Sequence, residues 1–194
     1  MRQTRPLCLA SGSPRRRELL AAYGLTFAVY APEVDETPRA GEGPGVYVRR
    51  LAGLKARAGS AAFPGHVTLA GDTVVVLEGE VLGKPRDGAD AAEMLRRLSG
   101  RRHQVLSAYA VRDPSSGAAF TRTVRTAVTF RPLPPAWIDW YAAQPEGRDK
   151  AGAYAVQGLG GAMVARLSGS FNNVVGFPIE SIVWDLLERG WLTL

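Results

Sequence analysis

The apolar stretch Leu7-Cys8-Leu9-Ala10 passes, through Ser11 and Gly12, straight into Ser13-Pro14-Arg15-Arg16-Arg17. No other feature constrains the fold of this chain as strongly. Four apolar residues bounded by polar ones read as a short buried strand. Ser13 suits the N-cap of a helix and Pro14 its first turn. The helix is expected to run to about Tyr23, with Gly24 suited to its end. A buried strand that feeds a helix directly belongs to an α/β protein.

The rest of the chain agrees. Phe27–Tyr30 reads as a second strand, followed by a loop rich in proline and acid that holds Asp35 and Glu36. From Gly45 to about Ala62, Tyr47, Leu51, Leu54 and Ala58 fall on one helical stripe. Val67–Leu77 is continuous enough for a sheet centre, and Glu78-Gly79-Glu80 turns it into a hairpin with Val81-Leu82-Gly83. A helix begins at Asp87 or Asp90 and ends near Ser99-Gly100. Gln104–Arg112 and Ala118–Arg131 form a second hairpin around Pro114–Gly117. Pro134–Ala143 is a short helix, Tyr154–Gln157 and Met163–Leu167 are extended, and Pro178–Arg189 is an amphipathic helix. Crossovers and hairpins together predict a mixed sheet rather than a doubly wound one. The Pro/Gly-rich stretches are all loop-sized, so residues 1–194 are expected to form one domain or two small lobes sharing a core.

Composition matters mainly for what it excludes. The single Cys8 rules out a disulfide framework and a Cys-rich zinc site. No apolar run reaches the roughly 20 residues of a membrane span, and the basic N-terminus is followed by too short an apolar stretch for a secretory leader. A cytoplasmic protein without a membrane partner is expected. The net charge of +6 favours anionic partners without choosing between nucleic acid and phosphorylated small molecules, and arginine preference alone would also produce it. Only three of the 24 basic residues are lysines, Lys55, Lys84 and Lys150. In an arginine-rich chain a lysine marks places where a compact ammonium is useful.

Several segments could carry chemistry. Three cations in the first turn of a helix oppose the macrodipole, and a bound phosphate would relieve them as well as the helix-end amides. At about 100° per residue, Arg16 lies on the Leu19/Leu20/Tyr23 face, Arg15 on its flank and Arg17 towards solvent. The bland alternative is a solvated basic turn balanced by Glu18. Asp72 beside a run of valines is either a metal ligand or general base, or a turn cap at an exposed strand end. Glu36 or Asp35 could join it in an oxygen site for a divalent cation, or simply lie in a solvated loop. Lys55 borders the apolar stripe of its helix and is either a site lysine or a snorkelling one. Lys84, between Gly83 and Pro85, is a site lysine or a turn lysine. The small-residue stretch from Lys150 to Gly161 would let backbone approach a planar ligand, with Gln157 offering a donor and an acceptor to a base edge, or it is a loop. Ser168–Gly176 binds phosphate or is an ordered turn. His66 and His103 are scattered, and no Ser-His-Asp arrangement is legible.

In order along the chain, the set resembles the Maf family of nucleoside triphosphate pyrophosphatases. The matching text is Leu9–Arg16, Val34-Asp35-Glu36, Leu51–Ala56, Gly71–Val75, Leu82–Pro85, Met94-Leu95, Leu98–Gly100, Lys150–Tyr154, Gln157-Gly158 and Asn173–Gly176. The resemblance implies a Maf/ITPase-like two-lobed α/β fold, with a central mixed sheet flanked by helices and a cleft between lobes. It implies hydrolysis of a nucleoside triphosphate to the monophosphate and pyrophosphate with a divalent metal cation, Mg²⁺ or Mn²⁺. Family proteins are often homodimers. Carried over, Asp72 is the proton acceptor and, with Glu36, the metal set. Ser11, Arg15, Arg16, Lys55 and Lys84 bind phosphate. Arg15, Thr73 and Gln157 bear on base choice. The text around Arg15 and from Gly152 to Gly161 resembles the branch acting on dTTP and UTP rather than 7-methyl-GTP. The chain departs from the family in Gly71, where Ala is commoner, and in Phe177, where Leu is common. A nucleic-acid-binding or septum-regulating role is the alternative of a different class, but no nucleic-acid module is legible.

Overall fold

The computed structural model describes all of residues 1–194. Nine strands and six helices alternate along the chain, joined by two 3-10 turns. The largest sheet has the order β3-β2-β4-β6-β7-β8, with β5 paired to β4. The strands are β2 (Leu7–Ala10), β3 (Phe27–Tyr30), β4 (Val67–Leu77), β5 (Glu80–Leu82), β6 (Arg102–Asp113), β7 (Ala118–Phe130) and β8 (Val164–Ser168). β2 runs parallel to β3 and β4, whereas β4/β5 and β7/β8 are antiparallel. This is the expected mixed α/β sheet. No helix is long and apolar enough to cross a membrane.

The chain divides into two compact units. The first comprises Met1–Asp72, Ser107–Val124 and Gly176–Leu194. Here α1 (Pro14–Ala22) carries the chain from β2 to β3, and α2 (Pro44–Ala62) carries it from β3 to β4. These crossovers are why the three strands are parallel. The helix α2 lies close on the sheet at Gly59, where a Cβ would stand 2.6 Å from Ala10 Cβ and 2.9 Å from Thr68 Cγ2. Leu7, Leu9, Leu20, Leu69, Tyr109 and Phe177 form the core with Ile182 and Leu186 of α6 (Ile179–Glu188). Each such side chain contributes about 2 kcal/mol by leaving water. A short ribbon of β1 (Arg2–Gln3) and β9 (Leu192–Thr193), not expected from the sequence, joins the chain ends.

The second unit comprises Thr73–Leu106 and Arg125–Val175. Glu78 and Gly79 turn β4 into β5 with φ of 52° and 88°, the left-handed pair a tight hairpin requires. The Asp87 carboxylate caps α3 (Gly88–Leu98) by accepting from Asp90 N at 2.8 Å. Its core holds Val75, Leu77, Leu95, Leu98, Phe130, Tyr154 and Tyr141 of α4 (Pro135–Ala143). His103, Phe130 and Tyr154 meet edge to face, and His103 Nε2 lies 2.9 Å from the Tyr154 hydroxyl.

One local expectation fails here, and one open alternative is narrowed. Tyr154–Gln157 is not a strand, because it lies between 3-10 turns at Ala151–Ala153 and Gly158–Met163. Ser168–Gly176 contains a short helix, α5 (Phe171–Val175). Buried Asn173 donates to Val105 O at 3.0 Å and Thr126 Oγ1 at 2.9 Å, so this segment is an ordered turn.

Candidate active site

The first unit holds six of the candidate residues: Ser11, Arg15, Arg16, Glu36, Lys55 and Asp72. Ser11 directly follows β2, and Arg16 lies in the first turn of α1. Arg16 is buried, donates from Nη1 to Ser11 Oγ at 3.1 Å and from Nε to Gly176 O at 3.0 Å, and stands over the Phe177 ring. The helical geometry that turned Arg16 inward therefore holds, with Arg15 half-buried and Arg17 exposed. Ser13 occupies the N-cap position, but its hydroxyl makes no capping bond; its backbone N–H donates instead to Ser11 Oγ. Burial pulls the Arg16 guanidinium below its ordinary value, while the charge of Asp72 pushes it back up.

Lys55 is the centre of the cluster. Its Nζ lies 2.6 Å from Glu36 Oε1 and 2.8 Å from Asp72 Oδ1. Lys55 and the Asp72 side chain are largely buried, whereas the Glu36 side chain is 56% exposed. An ammonium buried this far needs compensating charge, and the two carboxylates supply it. The same two carboxylates, converging on one cation, form an oxygen donor set of the kind Mg²⁺ takes alongside substrate phosphates. No three His, Cys, Asp or Glu side chains anywhere in the chain come together as a metal site, so these two carboxylates would need substrate oxygens to complete one.

Two residues position Glu36: Tyr47, which the sequence places only on an apolar stripe, and Arg50, which it does not single out. The Tyr47 hydroxyl donates to Glu36 O at 2.9 Å, and Arg50 donates from Nη2 to Thr37 O at 2.9 Å. Arg50 is itself fixed by Glu42, both carboxylate oxygens lying 2.7 Å from its nitrogens. The acidic loop is thus fastened to α2, the helix that carries Lys55. Tyr47 and Arg50 lie one turn apart, a helical signal legible in principle. Asp35 takes no part in the cluster: it accepts from Thr37 N within its own turn.

Gly71 and Phe177, where the sequence departs from what it resembles, pack against each other. A Cβ on Gly71 would lie 2.9 Å from Phe177 Cε2 and 3.1 Å from Ala108 O. The larger ring at 177 requires the missing methyl at 71, next to Asp72.

The second unit holds Thr73, Lys84 and Gln157. Thr73 follows Asp72 along β4, and Lys84 and Gln157 are exposed. Gly152 N donates to Gly83 O at 3.0 Å, joining the Lys84 turn to the small-residue segment. Lys150 is structural: its Nζ donates to Glu146 O at 2.5 Å and pairs with Asp149. His103 is a buried core residue, held at about 4 by burial, which opposes its charging.

The model for Maf-like proteins matches residues 6–189 of this chain. A dTTP/UTP pyrophosphatase of Myxococcus xanthus is 51% identical over 97% of this chain and 94% of its own length. One of Anaeromyxobacter dehalogenans (strain 2CP-1 / ATCC BAA-258) is 54% identical over 95% and 94%. Among solved structures, a nucleoside-triphosphatase / dITP/XTP pyrophosphatase of Mycobacterium abscessus aligns over 95% of this chain and 96% of its own, with 18% identity and a TM-score of 0.46.

Proposed function

This chain belongs to the Maf family, and from that premise we infer how it acts as a nucleoside triphosphate pyrophosphatase hydrolysing dTTP and UTP to the monophosphate and pyrophosphate. The observation that carries the mechanism is the convergence of Glu36 and Asp72 on Lys55. Asp72 is the base that takes a proton from the water attacking the α-phosphorus. Arg15, Arg16, Lys55 and Lys84 stabilise charge on the triphosphate and on the departing pyrophosphate. Arg16 suits this role because Ser11 and Gly176 fix its guanidinium before any substrate arrives. Glu36 and Asp72 would hold Mg²⁺ or Mn²⁺, which neutralises phosphate charge and acidifies a bound water when present. Lys55 balances the two carboxylates and aligns them. Thr73 and Gln157, with Arg15, read the base. No covalent intermediate is required.

The test is a panel of nucleoside triphosphates, incubated with and without Mg²⁺ or Mn²⁺, with the products resolved. Metal-dependent release of pyrophosphate, fastest from dTTP and UTP, is the expected result. Orthophosphate release, or a preference for 7-methyl-GTP, would overturn this account of the site.

A further inference from the structure

The segment from Ala151 to Gly161 holds only two short 3-10 turns, Ala151–Ala153 and the start of Gly158–Met163, and its backbone is held in a costly shape. Ala153 has φ of 59° without being glycine, and Gly152 and Gly158 have φ of 70° and 76°. A non-glycine residue persists in that region only where its surroundings fix it. Two residues outside the segment do much of the fixing. The Tyr141 hydroxyl, near the end of α4, donates to Glu146 Oε2 at 2.7 Å and accepts from Ala155 N at 3.1 Å. Glu146 accepts from Leu159 N through Oε1 and from Gly160 N through Oε2, both at 2.9 Å. The amides two residues before Gln157, and two and three residues after it, are therefore held by one hydroxyl–carboxylate pair. The fit is close: a Cβ on Gly158 would collide with Glu146 Oε1, and one on Gly160 would come within 2.6 Å of the Tyr141 hydroxyl. Burial works against the Glu146 charge, but the bonds from Tyr141, Gly160 and Leu159 outweigh it and hold the carboxyl below its usual range. Charged acceptors of backbone N–H groups are among the stronger hydrogen bonds in proteins.

We propose that Tyr141 and Glu146 are positioning residues for base discrimination, clamping the backbone on both sides of Gln157. The inference rests on the reading that this segment recognises the nucleobase. Its mechanism is indirect. The clamp sets where the Gln157 amide and the neighbouring backbone groups stand, and a displacement of a few tenths of an ångström degrades a planar hydrogen-bonded fit. A clamp that only supported the fold would change all substrates alike. One that positions the reader must change the ratio between bases.

The full chain is compared as wild type, Glu146→Gln, Tyr141→Phe and Gln157→Ala. Steady-state kcat and KM are measured for dTTP, UTP, CTP and GTP. Inhibition by inorganic pyrophosphate serves as a probe without a base, and hydrogen exchange is followed at residues 155–160. Glu146→Gln is expected to raise KM for dTTP and UTP about tenfold and to narrow their preference over CTP and GTP by a similar factor. It should keep kcat within about threefold and leave pyrophosphate inhibition unchanged, with faster exchange at Ala155, Leu159 and Gly160. Tyr141→Phe should act in the same direction, less strongly. Equal changes for all four nucleotides, or a fall in kcat with base ratios intact, would overturn the proposal. If Gln157→Ala erases base preference while the clamp variants preserve it, base reading stands and the clamp falls. If Gln157→Ala preserves it, Gln157 is not the reader, and the clamp is still decided by whether Glu146→Gln changes the ratios. Should Glu146→Gln lose its thermal transition, Tyr141→Phe, which removes a single oxygen, decides the same comparison.

Discussion

The two units hold their important residues in opposite ways. In the first, side chains project from regular elements and secure one another by charge: Lys55 of α2 reaches Glu36 and Asp72, and Arg16 of α1 reaches Ser11. In the second, the segment carrying Gln157 is irregular, and its backbone amides are held by Tyr141 and Glu146. In the proposed mechanism the first unit supplies most of the phosphate-binding charge, joined by Lys84 of the second, and the second supplies Thr73 and Gln157 to the base, joined by Arg15 of the first. Stabilising phosphate charge needs fixed cations and carboxylates, which helices and strands present well. Reading a flat base edge needs backbone at a close and exact height, which small residues and left-handed turns supply.

Asp72→Asn should have the largest effect and should separate the two kinds of region most sharply. Removing the base of a positioned proton transfer costs about a thousandfold in kcat. KM ratios between nucleotides should stay as they are, because Arg15, Thr73 and Gln157 are untouched. The thermal transition should persist, since the core of the first unit does not include Asp72. A variant that kept more than about a tenth of the activity would leave less than about 1.4 kcal/mol of the barrier resting on this carboxylate, and another base would have to be found.

The contrast also explains what could be read from the sequence. The strand-to-helix junction at Ser13-Pro14 and the inward turn of Arg16 follow from a bounded apolar run, a proline in the first turn of a helix and helical periodicity. Such rules are local. The pairing of Lys55 with both carboxylates is not local, for Glu36 and Asp72 stand on a loop and a strand far apart in the chain; residue chemistry alone offered Asp35 or Glu36 as partner to Asp72, and only the resemblance chose Glu36 and added Lys55. Within the 151–161 segment the sequence suggests an extended piece at Tyr154–Gln157, because small residues carry no periodic signal. Its shape depends on Glu146 and on positive φ at Ala153, neither of which announces itself in the text. The turn at 168–176 was ambiguous for a related reason. Asn173 suits a ligand or a buried backbone equally well, and only the fold shows it facing Val105 and Thr126.

The second unit has its own pH signature, the next effect in size. His103 is buried against Phe130 and Tyr154, and burial holds it at about 4 in the folded chain, against the ordinary 6.5. Between these values the unfolded chain takes up the proton and the folded chain resists it. Stability is therefore full above pH 6.5 and falls as the pH drops towards 4, by on the order of 3 kcal/mol in all. His103→Gln keeps a polar tip near the Tyr154 hydroxyl but does not titrate, so its stability should be flatter over this window. Denaturant unfolding of both proteins at pH 7, 6, 5 and 4.5 measures the difference. Parallel losses would assign the acid sensitivity to other groups.

The smallest expected effect sharpens the comparison furthest, because it asks whether a glycine is required by packing or by backbone. Gly71 in the first unit has no left-handed φ; what excludes a side chain there is the Phe177 ring, 2.9 Å from where a Cβ would stand, with Ala108 O at 3.1 Å. Gly71→Ala alone overfills this space and should cost about 2 kcal/mol. Phe177→Leu alone opens room and removes the ring under Arg16, costing about 1 kcal/mol. In the double variant the new methyl occupies the space the ring has left, so the loss should be smaller than the sum by about 1 kcal/mol. Gly152 in the second unit offers no such remedy. Its φ of 70° penalises any side chain, whatever is trimmed from Val75 opposite. Unfolding curves for Gly71→Ala, Phe177→Leu and their combination, set beside Gly152→Ala with and without Val75→Ala, make the distinction. Coupling at 71/177 and none at 152/75 would show that packing fixes the glycine of the first unit and backbone conformation that of the second. Additive losses at 71/177 would mean that the Ala108 carbonyl, not the ring, keeps that position bare.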